Sequence, residues 1–320
     1  MFEKLFNNEL SEQEARAFLI ELYKKGESAE DIAEAAKIMR EHSIKLPIPK
    51  TLQEKLIDVV GTGGDKSGSF NVSSTVALLL PSLGSYVAKH GNRSITSKSG
   101  SADMLEALGI NLDLDVNKQV EMLKRTGFCF IFAKNHHPVM KHIMPIRRSI
   151  PHRTIFNILG PLTNPAGAKK YLLGVFDKEY VPKMAQALVE LGAKRALVVA
   201  SEEGMDEISI SGKTYIAEII NKDIRYFEIV PEDFGLTRAS FEEIKGADAT
   251  HNAKITCDII EGKLHGAKRD MVLLNAGAAL YADGKAASIK EGIAMAASAI
   301  DSGKAGDKLD QIIKVSQELA

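Results

Sequence analysis

The chain has 320 residues, 45% of them hydrophobic and 26% charged, with a net charge of −1. That composition supports one large or two modest globular domains and argues against disorder, and the near-zero charge argues against a nucleic-acid partner. Two distant cysteines, Cys129 and Cys257, exclude a disulfide framework, and no apolar run is long enough for a signal core or a membrane span, so a cytoplasmic protein is expected.

Apolar residues recur at helical spacing over residues 10–23 and 28–42, with Ser11 and Ser28 as expected N-caps. Leu46-Pro47-Ile48-Pro49 breaks the pattern and reads as a linker. From residue 55 onwards, β-like runs at 56–60, 85–89, 128–133, 170–176 and 194–200 alternate with helical stretches at 73–82, 101–108, 138–146 and 178–192. Such alternation predicts a mainly parallel sheet flanked by helices. Residues 207–230 read as a hairpin turning on Ser211-Gly212, and helices are expected at about 251–262, 270–282, 286–302 and 306–318. The fold class is thus α/β, with a small all-helical N-terminal domain and a large α/β domain built on a mainly parallel central sheet.

Ligands of open α/β sheets bind beyond the carboxyl ends of the strands. Three polar segments lie at such ends. The first, Gly61-Thr62-Gly63-Gly64-Asp65 through Ser69, Asn71, Val72, Ser73 and Ser74, places a glycine turn between a strand and a helix start. Backbone N–H groups bared in this way suit a phosphate. Lys66 breaks the dinucleotide pattern and Asp65 breaks the P-loop pattern, so neither common phosphate fingerprint fits. Asn71, Ser73 and Ser74 are also expected to cap the helix. The second segment, Lys89-His90-Gly91-Asn92-Arg93 through Lys98, Ser101 and Asp103, sets cations among hydroxyls and glycines, which a polyanion would complement. The third carries Glu202, Glu203, Asp206 and Glu207; beside a phosphate site, hard oxygen ligands point to Mg²⁺. A fourth stretch, 136–165, mixes His136, His137, His142 and His152 with Arg147, Arg148 and apolar residues. Its histidine spacing does not suit zinc, and it reads as a pocket wall for an aromatic acid.

The order of these motifs closely resembles anthranilate phosphoribosyltransferase: Gly61–Asp65 with Asn71-Val72-Ser73-Ser74, Lys89–Arg93, Gly100–Asp103, Arg153–Asn157 through Asn164-Pro165, and Asp206-Glu207-Ile208-Ser209. The resemblance implies transfer of phosphoribose from phosphoribosyl pyrophosphate (PRPP) to the amino group of anthranilate, in tryptophan biosynthesis. It implies a small helical dimerisation domain, residues 1–55 with about 138–165, and a large PRPP-binding domain, residues 56–137 with about 166–320. It also implies a homodimer, and separate anthranilate synthase chains are a further expected partner; neither nucleic acid nor membrane is expected.

Carried over by position, the resemblance gives PRPP to Gly61, Gly64, Asp65, Ser69, Asn71, Val72, Ser73, Ser74, Lys89, His90, Gly91, Asn92, Arg93 and Ser101. Anthranilate falls to Gly61, His90, Asn92 and Arg147, and two Mg²⁺ ions per subunit to Ser73, Asp206 and Glu207. No covalent nucleophile is implied; Lys89 and Mg²⁺ would stabilise charge on the leaving diphosphate. The chain departs from the family pattern at Ser74 (usually Thr), Met205 (usually Leu) and Ile150-Pro151-His152 (usually Leu-Gly and an apolar residue). Pyrimidine nucleoside phosphorylase, which shares the architecture, and a non-enzymatic nucleic-acid-binding relative are the alternatives.

Overall fold

A computed structural model describes residues 1–65, 67–94 and 98–320. Lys66 in the first polar segment and Ile95, Thr96 and Ser97 in the second lie outside the described residues. The chain opens with helices α1 (Phe2–Phe6), α2 (Glu12–Lys25), α3 (Ala29–Glu41) and α4 (Lys50–Gln53). Ser11 and Ser28 each close a capping box, with Glu14 and Asp31 as the reciprocal partners. Then follow β1 (Leu56–Gly61), α5 (Val72–Leu79), β2 (Tyr86–Gly91), α6 (Ser101–Ala107), α7 (Val116–Thr126) and β3 (Phe128–Phe132). Next come α8 (Ala133–His136), α9 (Met140–Ser149), α10 (Phe156–Leu159), β4 (Lys170–Gly174), α11 (Tyr180–Glu190) and β5 (Arg195–Ser201). The chain ends with β6 (Thr214–Ile220), β7 (Asp223–Ile229), α12 (Ala249–Ile260), α13 (Ala267–Asp283), α14 (Ile289–Asp301) and α15 (Lys304–Glu318).

One sheet has the strand order β3-β2-β1-β4-β5-β6-β7. The first five strands in that order are parallel, and β6 and β7 add antiparallel at one edge. The central strands are largely apolar, as a sheet covered on both faces requires, with Asp58 on β1 and Lys89 and His90 on β2 as buried exceptions. Helix α13 packs on α5, β4 and β5, while α11 and α10 meet α3 and α9 meets α2. The chain therefore returns to its N-terminal helices after β3 and again after β4.

Two expectations are corrected. The hairpin turns on Asn221-Lys222, both at positive φ, not on Ser211-Gly212. Ser211-Gly212 instead precedes β6, where the Ser209 hydroxyl accepts from both of their N–H groups. Helix α7, absent from the sequence expectation, starts at Asp115, whose carboxylate accepts from the N–H groups of Asn117 and Lys118. Among the described residues no helix is long and apolar enough to cross a membrane.

Candidate active site

The strand order reverses beside β1. The chain runs from β1 outwards to β2 and β3, then returns to β4 on the other side. Such a switch point opens a crevice at the carboxyl ends of the strands. Gly61 ends β1 and pairs there with Gly174, which ends β4. Both glycines make room for Asp206. A Cβ on Gly61 would stand 2.1 Å from the Asp206 Oδ2, and one on Gly174 would stand 1.7 Å from the Asp206 carbonyl oxygen.

The glycine loop leaves Gly61 with Gly63, Gly64 and Gly68 all at positive φ, a conformation that side chains disfavour. The N–H of Gly63 donates to Asp206 Oδ2 at 2.7 Å, and the N–H of Ser73, in the first turn of α5, donates to Glu207 Oε1 at 3.2 Å. Adjacent carboxylates from the loop after β5 thus hold two backbone donors of the first polar segment. The capping expectation for Asn71, Ser73 and Ser74 is corrected: Asn71 occupies the N-cap position of α5 without a side-chain cap. The Ser74 hydroxyl is buried and has no partner among the described residues, as is also true of the Thr62 and Thr154 hydroxyls.

Lys89, on β2, is 1% exposed and reaches into this cluster. Its Nζ donates to the Val59 carbonyl at 2.6 Å and to the Ser73 hydroxyl at 3.4 Å. Burial pulls its pKa down, opposed by the carboxylates of Asp58, Glu207 and Asp206. Burial and the nearby Asp65 push Asp206 up to about 7, and burial and Asp206 push Glu207 well above the carboxylate range. These carboxylates crowd one another and gain if a cation arrives. No set of three or more His, Cys, Asp or Glu side chains forms a closed metal cage among the described residues. Two half-buried carboxylates beside a glycine loop fit a hard divalent ion that takes its remaining ligands from substrate.

Beneath the site, Asp58 is fully buried and accepts from the His90 N–H at 3.2 Å and the Asn164 side chain at 2.7 Å. Asn164 also donates to the Ala88 carbonyl at 2.8 Å, so the segment after α10 fixes both β1 and β2. The His90 ring is engaged on both nitrogens: Nδ1 with the Gly160 carbonyl at 3.0 Å, and Nε2 with His137 Nε2 at 3.2 Å. A carbonyl only accepts, so His90 Nδ1 carries the hydrogen and His137 Nε2 donates to His90 Nε2. That leaves His137 Nδ1 bare and unpartnered among the described residues.

The second polar segment divides. Ser101 starts α6 and lies against Gly91, and the Ala102 N–H donates to the Asn92 carbonyl at 3.3 Å. Arg93 is turned onto Asp103 at 2.8 Å and Glu106 at 2.6 Å, with Phe132 beneath its guanidinium. Its side chain is thus engaged with carboxylates. The Asn71 amide oxygen accepts from the Ser99 hydroxyl and from Asn252 of α12, both at 2.9 Å, which makes it a node between loops. Ser69 sits in the loop, its N–H donating to the Ser67 hydroxyl at 3.2 Å, and Val72 is buried at the start of α5. Arg147, on α9, is half-buried with no carboxylate partner among the described residues; burial lowers its pKa. An unpaired, partly desolvated guanidinium is a site for a carboxylate from outside the chain.

Sequence reasoning missed Gly174, Asn252 and the pairing of His137 with His90. The signal for Gly174 was present: Leu172-Leu173-Gly174 ends its strand as Val59-Val60-Gly61 ends β1. Asn252 gave no local sign, because its partner Asn71 lies 181 residues away.

Residues 53–306 match the α/β domain of a glycosyl transferase family, and residues 1–43 match that family's helical bundle domain. The chain is 47% identical over 317 residues to anthranilate phosphoribosyltransferase of Persephonella marina, covering 99% of this chain and 93% of that relative. Its fold is similar to the crystal structure of the Thermus thermophilus enzyme of that name, with a TM-score of 0.93 and 40% identity over 99% of this chain and 93% of the other. It is also similar to the Saccharomyces cerevisiae enzyme in complex with PRPP and Mg, with a TM-score of 0.88 and 31% identity over 96% of this chain and 86% of the other. On these likenesses, and with the glycine loop, buried lysine and acidic pair gathered in one crevice, the chain belongs to the anthranilate phosphoribosyltransferases of the glycosyl transferase family.

Proposed function

We propose that the chain transfers the phosphoribosyl group of PRPP to the amino group of anthranilate and releases pyrophosphate, as a step of tryptophan biosynthesis. The observation that carries this reading is the joining of three strand ends. Asp206 and Glu207 reach the N–H groups of Gly63 and Ser73, and Lys89 reaches the Ser73 hydroxyl. A sugar diphosphate with a divalent cation complements a glycine loop, a buried ammonium and an acidic pair at one address.

In this reading Gly61, Gly64, Asp65, Ser69, Asn71, Val72, Ser73, Ser74, Lys89 and Ser101 surround PRPP, with the backbone of 90–93 closing over it. Ser73, Asp206 and Glu207 would hold two Mg²⁺ ions per subunit, which when bound would supply positive charge against the leaving diphosphate. Lys89 adds a positive charge in a dry setting, where it acts most strongly. Gly61, Asn92 and Arg147 receive anthranilate with His90 lining its path, and Arg147 clamps its carboxylate in a two-point geometry that a lysine cannot reproduce. The amine already carries its lone pair and needs orientation more than a base. Residues 1–55 with about 138–165 act as the small, dimerising domain, a reading supported by the packing of α9 on α2 and of α10 on α3. The working unit is a cytoplasmic homodimer, with anthranilate synthase chains as candidate partners.

The test is the loss of anthranilate fluorescence on mixing the purified chain with PRPP and Mg²⁺. Turnover is expected. A folded sample that leaves anthranilate untouched, or one that cleaves uridine or thymidine with phosphate faster, would reject the reading.

A further inference from the structure

A row of side chains runs from the N-terminal helices to the glycine loop. The Tyr23 ring, on α2, stacks on His152 at 3.9 Å between centroids and 19° between planes. Next in the chain, Arg153 lays its guanidinium over the Phe176 ring at 3.6 Å, and its Nη2 donates to the Gly64 carbonyl. Phe176 meets the Tyr180 ring edge-on at 5.3 Å, and the Tyr180 hydroxyl donates to Glu27 Oε2 at 3.1 Å. Glu27 is 3% exposed in the turn between α2 and α3. The row therefore leaves the helical unit at Tyr23, touches the glycine loop at Gly64 and returns to the helical unit at Glu27.

Gly64 holds φ at +71° with no side chain of its own to fix it. On one side of the loop the Gly63 N–H is held by Asp206, and on the other the Gly64 carbonyl is held by Arg153. A carbonyl oxygen left free beside a diphosphate would repel it. A guanidinium on that oxygen both fixes the peptide plane and cancels its negative end. Phe176 holds the guanidinium flat, because a cation is attracted to the ring face.

We propose that Arg153 is a positioning residue for the glycine loop, anchored by Phe176 and by the Tyr23–His152 stack, and that it sets the affinity for PRPP and not for anthranilate. The proposal rests on the phosphoribosyl-transfer reading. Arg153→Met keeps the aliphatic stem over Phe176 and removes the charge and the donors. The expected result is a rise of about tenfold in the KM for PRPP, the scale of one lost charge-assisted hydrogen bond. The KM for anthranilate should stay within about twofold, and Arg153→Lys should recover part of the loss, since it restores the charge without the planar fork. Calorimetric titration of the Mg²⁺–PRPP complex into wild type and both variants separates the two levels of the argument. Wild type that binds no PRPP defeats the phosphoribosyl-transfer reading itself. Wild type that binds PRPP while Arg153→Met binds it equally well overturns the role of Arg153 alone. Equal rises in both KM values, or a fall in melting temperature with KM unchanged, mark Arg153 as a structural residue and also overturn it.

Discussion

Gly61→Ala tests the centre of the site. A Cβ at this position would stand 2.1 Å from Asp206 Oδ2 and 2.8 Å from Asp206 Cγ. Non-bonded atoms of this kind settle at roughly 3.5 Å, so the carboxylate tip must retreat by more than about 1 Å. The tip can swing, because it is the far end of a side chain. Swinging breaks its 2.7 Å hydrogen bond from the Gly63 N–H. A hydrogen bond to an ionised group contributes about 1.5–3 kcal/mol. Mg²⁺ demands near-ideal ligand positions, so the displaced carboxylate should bind it at least about tenfold more weakly. The assay is anthranilate fluorescence loss at saturating PRPP over a Mg²⁺ titration, with a thermal melt beside it. The half-saturating Mg²⁺ should rise by that factor, while the melting temperature stays within about 5 °C of wild type. Gly174→Ala is the contrasting variant. Its Cβ would meet the Asp206 backbone oxygen at 1.7 Å, an atom that cannot swing, so folding itself should suffer. Unchanged Mg²⁺ dependence in active Gly61→Ala enzyme would refute the reasoning.

On the proposed reading, Arg147→Ala should raise the KM for anthranilate by about tenfold or more and leave the KM for PRPP within about twofold, because it removes the half-buried guanidinium assigned to the anthranilate carboxylate. Steady-state kinetics in both substrates decide it, and an unchanged anthranilate KM would remove Arg147 from the site. Burial holds His137 down at about 4, against an ordinary value of 6.5, and holds His90 well below that value too. The unfolded chain then takes up protons that the folded pair refuses. The stability contributed by the neutral rings is complete above about pH 6.5 and is lost as pH falls towards about 4. His137→Gln keeps a donor for His90 Nε2 but does not titrate. The melting-temperature advantage of wild type over this variant should therefore shrink as pH is lowered from about 7 to about 5, and parallel curves would contradict the pairing.

The parts of the fold legible in the sequence were those that a local pattern reports. The run Leu56–Val60 reads as a strand because a sheet covered on both faces needs mostly apolar residues, with Asp58 the one polar exception, and Ser11 and Ser28 cap because their partners lie within one turn. Helix α7 was missed although Val120, Met122 and Leu123 share one buried face with Asn117 and Glu121 on the exposed one; its Asp115 cap and the Gly127 stop were local signals left unread. The hairpin was misplaced because Ser211-Gly212 resembles a turn, while Asn221-Lys222 reaches positive φ with no glycine to signal it. In the site, the chemical types of Lys89, Asp206 and Glu207 were legible. That their segments share one address followed from the strand-end rule; which atoms touch did not, since it depends on strands brought side by side from residues 59, 89 and 201–207. The link from Arg153 to Gly64 spans 89 residues and could come only from the fold.

Gly61 and Gly174 end neighbouring strands, and together they form a notch into which Asp206 fits. The acid is located as much by atoms missing from two strands as by any bond it makes. A redesign of this pocket for another acceptor would ordinarily vary the side chains that line it. Here the two positions with no side chain are the least negotiable, and they restrict which substitutions the acidic loop after β5 can survive. In the proposed reading, new specificity should therefore be sought at Arg147 on α9, the residue assigned to the acceptor's carboxylate, and not along the seam between β1 and β4.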